Sequence, residues 1–574
     1  MKNIKEYNNI KDMMTDIASQ RGEKIVFTNK IKEDKTVKYE EITYTRLLED
    51  INSLGTSLYE NGFENSRIAI AGRNRYEWIV AHLANLMGGI VSVPLDKELK
   101  IEEFENSLIR SKAKAIIFDE KYVEMIEEIK NRNNTEIKEY ISMAKLDGYK
   151  DVNMLIEKGK KAIKSGNKKY INCKIGENKM SILLFTSGTT SKSKAVMLSQ
   201  KNIASNIYAL QQSEDFYDSD VNIAILPFHH IFGQTGMLLM IACGVKTVFT
   251  DGLRYIGQNF KEYGVSVFVG VPLLVESIYK NVWAQIKKQG KETTVKRMIK
   301  VSNVLLKLKI DIRKKVFKSI IDALGGKLRF VICGGAPLDK KIEEGFRNFG
   351  IEVAVGYGLT ETAPVIAAQT KKSTKPGSVG VAMPNVNIEI VDKDENGIGE
   401  ITAKGPNIML GYYEDEEKTN EVLKNGAFYT GDLGYIDKDG ALFITGRKKD
   451  MIVLKNGKKV FPDEIETIVN RLEFVKESMV FGLPDKNDPS DIQVAIKIVY
   501  DENVRKNEYQ DLTDEEFKEM VWNKIKEINK TFPMYKYIKH LVLTDEELIK
   551  TTTKKIRRQE ELKTILSCMS IKNI

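Results

Sequence analysis

The sequence predicts an α/β protein built on largely parallel sheets, and three observations lead there. Short β-branched runs recur at RIAIAG (67–72), KAIIF (114–118), SILLF (181–185), VSVFVG (265–270) and RFVICGG (329–335). Longer stretches of helical period separate them, the alternation expected of βαβ units. The composition is that of a globular chain: of 574 residues, 42% are hydrophobic, 29% are charged and only 12 are proline. At roughly 100–200 residues per domain, this length implies two to four folding units.

Taken in order, the elements carry distinct signals. Between Trp78 and Met87 apolar residues cover nearly the whole helix circumference, which predicts a buried helix. Val221–Val245 carries no charge but includes Pro227, His229, His230, Gln234 and several glycines. That is a poor membrane span and predicts buried core, and no other stretch suggests a transmembrane segment. From Val301 to Leu324, apolar Val301, Val304, Leu305, Leu308, Ile312, Val316 and Ile320 alternate with Lys307, Lys309, Arg313, Lys314, Lys315 and Lys318. This predicts one basic amphipathic helix, lying either on the surface of the large domain or against a membrane.

After Gly446 the character shifts. Lys-rich GRKKDMIVLKNGKK leads into a short α+β pattern with a charged helix near 514–528. No Gly/Ser-rich or Pro-rich linker offers another boundary. The expected division is a large N-terminal domain of parallel-rich α/β layers over residues 1–446 and a smaller C-terminal α+β domain over 447–574.

Composition also excludes classes. With 89 basic and 80 acidic residues the net charge is +9, read as spread along the chain, and no basic and aromatic recognition motif accompanies it. Nucleic acid is therefore not an expected partner, whereas phosphate-bearing small molecules or an anionic membrane surface suit a mild positive field. Cys173, Cys243, Cys333 and Cys568 lie far apart, with no zinc-ligand spacing. They fit a reducing compartment. The first 20 residues contain no apolar core of a secretory signal. The expected location is cytoplasmic, with peripheral membrane contact left open.

The chemistry concentrates in FTSGTTSKSKAVMLSQ, residues 185–200, directly after the apolar strand 181–185. Thr186, Ser187, Gly188, Thr189 and Thr190 combine small side chains with hydroxyl donors, and Lys194 adds a positive charge. Such a loop can cradle phosphates through backbone N–H groups. No glycine stands immediately before the lysine, so it is not the P-loop pattern.

This stretch resembles the phosphate loop of the adenylate-forming superfamily, which contains acyl-CoA synthetases, firefly luciferase and peptide-synthetase adenylation domains. Further signatures follow in the same order: LPFHHIFG (226–233), GGAPL (334–338), GYGLTET (356–362), YTGDLG (429–434) and GRKKDMIV (446–453). NRYEWIVAHLANLMGGIVSVPLDKEL (74–99) is similar to the N-terminal part of long-chain fatty acyl-CoA synthetases, so the resemblance spans essentially the whole chain.

The resemblance implies ATP, Mg2+ and CoA as the small-molecule requirements and a fatty acid, medium- to long-chain, as substrate. Carboxylate attack on the α-phosphate of ATP would give acyl-AMP, and the CoA thiol would then displace AMP. Acyl transfer to an acyl carrier protein, or a catalytically weak nucleotide-binding homologue, are the alternatives. By the same resemblance Thr360 contacts phosphate and Glu361 is the magnesium-side carboxylate. Tyr357 and Gly358 lie in the nucleotide site, and Gly335, Ala336 and Pro337 form the adenine pocket. Asp432 accepts from both ribose hydroxyls with Arg447 in support, and His230, rather than His229, stands beside the acyl carboxylate. Lys449 is the hinge of a mobile C-terminal domain, and Lys555 is the adenylation lysine. The chain departs from the family pattern at Ser191, Ser193 and Ala195, where Gly, Pro and Gly are usual, at Gln200, where His is common, and at Lys554, where Gly is common.

Overall fold

In the computed structural model the described residues are 4–33, 36–186, 193–371, 373–485, 488–550 and 556–571. Two large sheets dominate the region before residue 413. One has nine strands, and its six central ones run parallel: Glu352–Gly358, Phe330–Cys333, Val267–Gly270, Val221–Ala224, Lys246–Phe249 and Ile25–Glu33. The other has eight strands. Met180–Thr186, Val91–Leu95, Arg67–Ala71, Ala115–Phe118, Glu139–Ser142 and Lys150–Asp151 are parallel, and Lys194–Ser199 and Gly411–Tyr412 close one edge antiparallel. All five β-branched runs read from the sequence are strands. Ala115–Phe118 and Val267–Gly270 are buried at every position, as expected where helices cover both faces of a parallel sheet.

The helix Tyr76–Met87 has every residue but Glu77 buried, in keeping with its all-round apolar sequence. Val221–Val245 is core: the strand Val221–Ala224 leads through a turn into the buried helix Ile231–Cys243.

The single helix expected over 301–324 is not present. A helix runs instead from Glu292 to Lys307, followed by two short turns of helix at Arg313–Val316 and Lys318–Ala323. The break is a helix C-terminus: Lys309 has φ of +63° and Ile310 N–H donates to Leu305 C=O at 2.9 Å. Once one residue turns left-handed, the next N–H reaches back to seal the last carbonyls. Apolar period persisted across this break because Phe317 and Ile320 pack separately into the core beside Phe346 and Phe349.

An antiparallel sheet containing Asn387–Val391, Gly399–Lys404, Ala427–Ile436 and Leu442–Arg447 follows the two large sheets. Beyond it, Val475–Pro484, Ile492–Tyr500 and His540–Thr544 make a three-stranded sheet. That sheet shares a separate core with helices Pro462–Val469 and Asp514–Asn529, including Ile465, Val469, Phe474, Ile496, Phe517 and Val521. The second helix opens with a capping box between Thr513 and Glu516 and lies where the charged helix was expected.

Candidate active site

The site assembles where the two large sheets and the antiparallel sheet meet. Asp432 and Arg447 are directly opposed in the antiparallel pair Ala427–Ile436 and Leu442–Arg447. Cross-strand neighbours stand about 5 Å apart, so a strand register alone brings the two side chains together. Arg447 Nε lies 2.8 Å from Asp432 Oδ1. The other oxygen, Oδ2, accepts from Tyr357 O–H at 2.7 Å across 75 residues of sequence. Asp432 is 4% exposed and Tyr357 8%. Burial and then the Asp432 charge hold the Tyr357 phenol well above its ordinary pKa, so it remains a donor to that carboxylate. Around Arg447 desolvation is the largest single effect and opposes the charge, but Asp432 together with Tyr357, Asp450 and Glu361 outweighs it, and the guanidinium pKa is raised.

Thr360 and Glu361 sit on a single tight turn, Thr360–Thr362, at the end of the strand that carries Tyr357. The turn is pinned from several sides: Met409 N–H donates to Glu361 C=O at 2.8 Å, and Asn407 Nδ2 donates to Thr362 C=O at 2.7 Å. Gly358 is required by close approach, since a Cβ there would lie 1.8 Å from Pro364 C=O. Gly335 has φ of +88° at the start of the GGAPL turn, a conformation that suits glycine.

The carboxylate of Glu361 accepts from Tyr412 O–H at 2.8 Å. Lys194 Nζ stands 3.4 Å from that phenol oxygen and 4.7 Å from the ring centre. Burial first, then Glu361, raises the Tyr412 pKa, so Tyr412 also stays a donor. A chain Lys194–Tyr412–Glu361 thereby joins the foot of the hydroxyl-rich loop to the GYGLTET turn. The loop stem is held by pairing of Thr186 with Lys194, with Thr186 O–H donating to Lys194 C=O at 3.3 Å. Ser187, Gly188, Thr189 and Thr190 lie outside the described residues.

Two departures from the family pattern have visible partners. Arg110 donates to Ser193 C=O at 2.9 Å and to its hydroxyl at 3.1 Å, fixing the end of the loop. Gln200 is fully buried, donating to Leu86 C=O at 2.8 Å and accepting from Ile10 N–H at 2.9 Å, so it ties the N-terminal helix Ile10–Arg21 to the core.

His230 caps the helix Ile231–Cys243, and its ring lies 4.4 Å from that of His229. His229 is the more buried, at 8% exposure, with Nε2 3.4 Å from Asp96 Oδ1. Asn74 holds this turn, donating to Leu226 C=O at 2.7 Å and accepting from Phe228 N–H at 3.0 Å. A small cavity of about 20 Å³, mostly apolar but also lined by Asn222 and Thr247, lies between the strand Val221–Ala224 and the helix Ile231–Cys243, bounded by Phe228, Phe232, Gly236 and Val269.

Lys449 is exposed. Partial desolvation lowers its pKa, and the charges of Arg447 and Lys194 push the same way against Asp450 and Asp432. Lys554 and Lys555 lie outside the described residues, but the stem of their segment is described. Lys550 bridges to Ile556, and Arg558 grips Glu466 at 2.6 and 2.7 Å and Asp463 at 2.9 Å, with Asp450 at 3.9 Å. A bidentate pair between Arg471 and Asp339, at 2.7 and 2.9 Å, fastens the C-terminal region next to the GGAPL turn.

Beneath that turn, burial lifts the Glu276 carboxyl to about 7, against the pull of Lys280 and with the Asp339 charge assisting. The folded protein therefore keeps a proton that the unfolded chain, near its ordinary 4.5, has released. Stability contributed by this proton falls as pH rises through that window. E276Q is expected to match or exceed wild-type stability above about pH 7 and to flatten the profile between about pH 5 and 7. Urea unfolding across that range checks this.

Tyr412, Asn407, Asp96, His229, Arg110 and Arg471 were not anticipated from the sequence. Each acts through a partner remote in the chain; Asp96 and His229 lie within the stretches 74–99 and 226–233 but carried no role there, and the other four stand in none of the motifs.

Relatives and solved structures share this architecture. Fatty acyl-CoA synthetase B of Dictyostelium discoideum is 29% identical over 512 residues, covering 83% of this chain and 75% of that protein. Long-chain-fatty-acid–CoA ligase 5 of Mus musculus is 31% identical over 475 residues, 77% of this chain and 69% of that one. A chloroplastic long-chain-fatty-acid–[acyl-carrier-protein] ligase of Arabidopsis thaliana is 25% identical over 550 residues, 83% and 75% respectively. Among solved structures, ATP-bound MatB from Rhodopseudomonas palustris superposes with a TM-score of 0.74 at 23% identity, over 97% of this chain and 99% of that one, a likeness of fold. The sequence model of the AMP-binding enzyme family matches residues 15–413, and that of the AMP-binding enzyme C-terminal domain matches 449–565. The chain belongs to the AMP-binding enzyme family.

Proposed function

We propose that the protein is an AMP-forming ligase that activates a medium- to long-chain fatty acid with ATP and passes the acyl group to CoA. The observation that carries this is the convergence of Asp432, Tyr357, Arg447, Glu361 and Lys194 at one junction.

In this reading Asp432, already oriented by Tyr357 and Arg447, accepts from the ribose hydroxyls, and its acceptor-only carboxylate suits a diol. Tyr357, Gly358, Gly335, Ala336 and Pro337 bound the adenine. Thr360, Lys194 and the hydroxyls of Thr186, Ser187, Thr189 and Thr190, with the Gly188 backbone, hold the phosphates. His230, beside His229 and Asp96, orients the carboxylate. Attack on the α-phosphorus forms a C–O–P bond and expels pyrophosphate. Lys555 offsets charge between carboxylate and phosphate, where repulsion between two anions is the main obstacle.

The donor set fits a magnesium ion. Glu361 has one oxygen held by Tyr412, and no described residue bonds the other. One carboxylate and a hydroxyl beside phosphates are ordinary magnesium surroundings. When bound, Mg2+ neutralises phosphate charge. For thioester formation the region from residue 447 rotates about Lys449, carrying Lys555 away, and the CoA sulfur displaces AMP from the acyl carbon. The thiols Cys173, Cys243 and Cys333 suit a cytoplasmic, reducing setting, and a fatty acid substrate places the reaction in lipid metabolism.

The test is fatty-acid-dependent release of pyrophosphate, followed by thioester formation only when CoA is added. No fatty-acid-dependent pyrophosphate would defeat the reading. The carrier-protein ligase among the relatives favours a second acceptor, so holo acyl carrier protein replaces CoA in a parallel arm. Faster transfer to the carrier protein assigns that acceptor instead.

A further inference from the structure

The chain's excess positive charge is not spread along it. Residues 287–318 hold twelve Lys and Arg against Glu292 and Asp311, a net +10 in 32 residues, which exceeds the net +9 of all 574. The remainder of the protein is close to neutral. Five of these cations, Lys300, Lys307, Lys309, Lys314 and Lys315, are exposed and make no ion pair within 4 Å of a carboxylate among the described residues.

The same segment leaves an apolar face uncovered. Helix Glu292–Lys307 buries Val295 and Ser302 and presents Val301 at 53% exposure, Val304 at 60% and, one turn on, Leu308 at 65%. Positions 301, 304 and 308 form one ridge of a helix. The preceding helix Pro272–Lys288, joined by the three-residue link 289–291, also leaves an apolar residue uncovered, Leu273 at 61% exposure. Isolated exposed apolar residues are normal, whereas an aligned ridge rimmed by uncompensated lysines marks a contact surface.

We infer that this face docks the protein on an anionic lipid bilayer, with the Val301–Val304–Leu308 ridge entering the interface and the lysines meeting the headgroup phosphates. Charge complementarity selects this occupant. An anionic surface recovers the repulsion among a +10 cluster, and lysine stems reach past the ridge to water while the apolar side chains insert. No helix among the described residues is long and apolar enough to cross a membrane, and the docking is peripheral. It goes beyond the ligase reading, because binding is read without turnover.

The full-length protein is sedimented with vesicles of phosphatidylcholine alone and of phosphatidylcholine with phosphatidylglycerol, at low and high salt. Wild type is expected to pellet with the anionic vesicles only, and less so in salt. K307E/K309E lowers the partition coefficient at least about 30-fold, at roughly fivefold per surface lysine lost. V304S/L308S lowers it about tenfold or more through lost apolar insertion. All four residues are exposed, so unchanged thermal unfolding is expected and verifies each variant. Equal partition of wild type onto both vesicle types, or variants that pellet as wild type does, overturns the inference. So does a concentration-dependent dimer that V304S/L308S dissolves, which would assign the ridge to a second copy of the chain.

Discussion

Asp432→Asn is expected to lower kcat/KM for fatty-acid-dependent pyrophosphate release about 100- to 1000-fold. Asparagine keeps the shape but removes the charge that Tyr357 and Arg447 converge on, and one end of its amide donates where only an acceptor fits the ribose. Hydrogen bonds to charged groups contribute about 1.5–3 kcal/mol each, and two are at stake. Stability is expected to fall by only about 1–2 kcal/mol, because the partly exposed Arg447 can turn to water rather than remain a buried unpaired charge. Tyr357→Phe serves as the control. It leaves the carboxylate in place and removes one donor, so a loss of about tenfold or less is expected. A D432N enzyme within a factor of about five of wild type would show that this carboxylate does not face the nucleotide.

Glu361→Gln is expected to reduce kcat by about 100- to 1000-fold, with the required Mg2+ concentration rising in parallel. A hard cation depends on the charge of its carboxylate ligand far more than on its shape. Tyr412→Phe separates the two contributions of this site. It frees the Glu361 oxygen that Tyr412 now occupies and removes the hydroxyl beside Lys194, yet leaves both the ring beneath Lys194 and the Glu361 charge intact. A smaller loss in kcat, without the shift in Mg2+ dependence, follows. Magnesium titration of pyrophosphate release distinguishes the two, and an unshifted Mg2+ requirement in E361Q would contradict the assignment.

Much of this architecture was legible because parallel strands buried on both faces read as continuous β-branched runs, and the runs at 115–118 and 265–270 name their strands almost to the residue. The motifs that hold Asp432, Tyr357 and Glu361 are local in sequence and stay local in the fold: Tyr357 and Glu361 lie at and just past the end of one strand, and Asp432 is fixed opposite Arg447 by strand register. Contacts between elements were hidden. Tyr412 reaches Glu361 from the short edge strand Gly411–Tyr412, whose pairing with Lys194–Ser199 no local pattern announces. His229 was set aside in favour of its neighbour, and its partner Asp96 lies after a strand of another sheet. The helix expected over 301–324 failed for a different reason. Apolar period continued through a chain reversal, since residues on both sides face apolar surroundings, and nothing in the Lys309 side chain signals a left-handed backbone. The even spread of charge was an impression of the total; the count over 287–318 corrects it.

The central claim is that a fatty acid carboxylate attacks the α-phosphorus of ATP in the site framed by Asp432, Glu361 and the hydroxyl-rich loop. Turnover with fatty acid labelled by oxygen-18 in its carboxyl group, in the presence of CoA, tests it directly by mass spectrometry of the products. Attack at the α-phosphorus leaves one labelled oxygen on AMP and none on pyrophosphate. Label found in inorganic phosphate with ADP as co-product, or AMP that carries no label, would contradict the account.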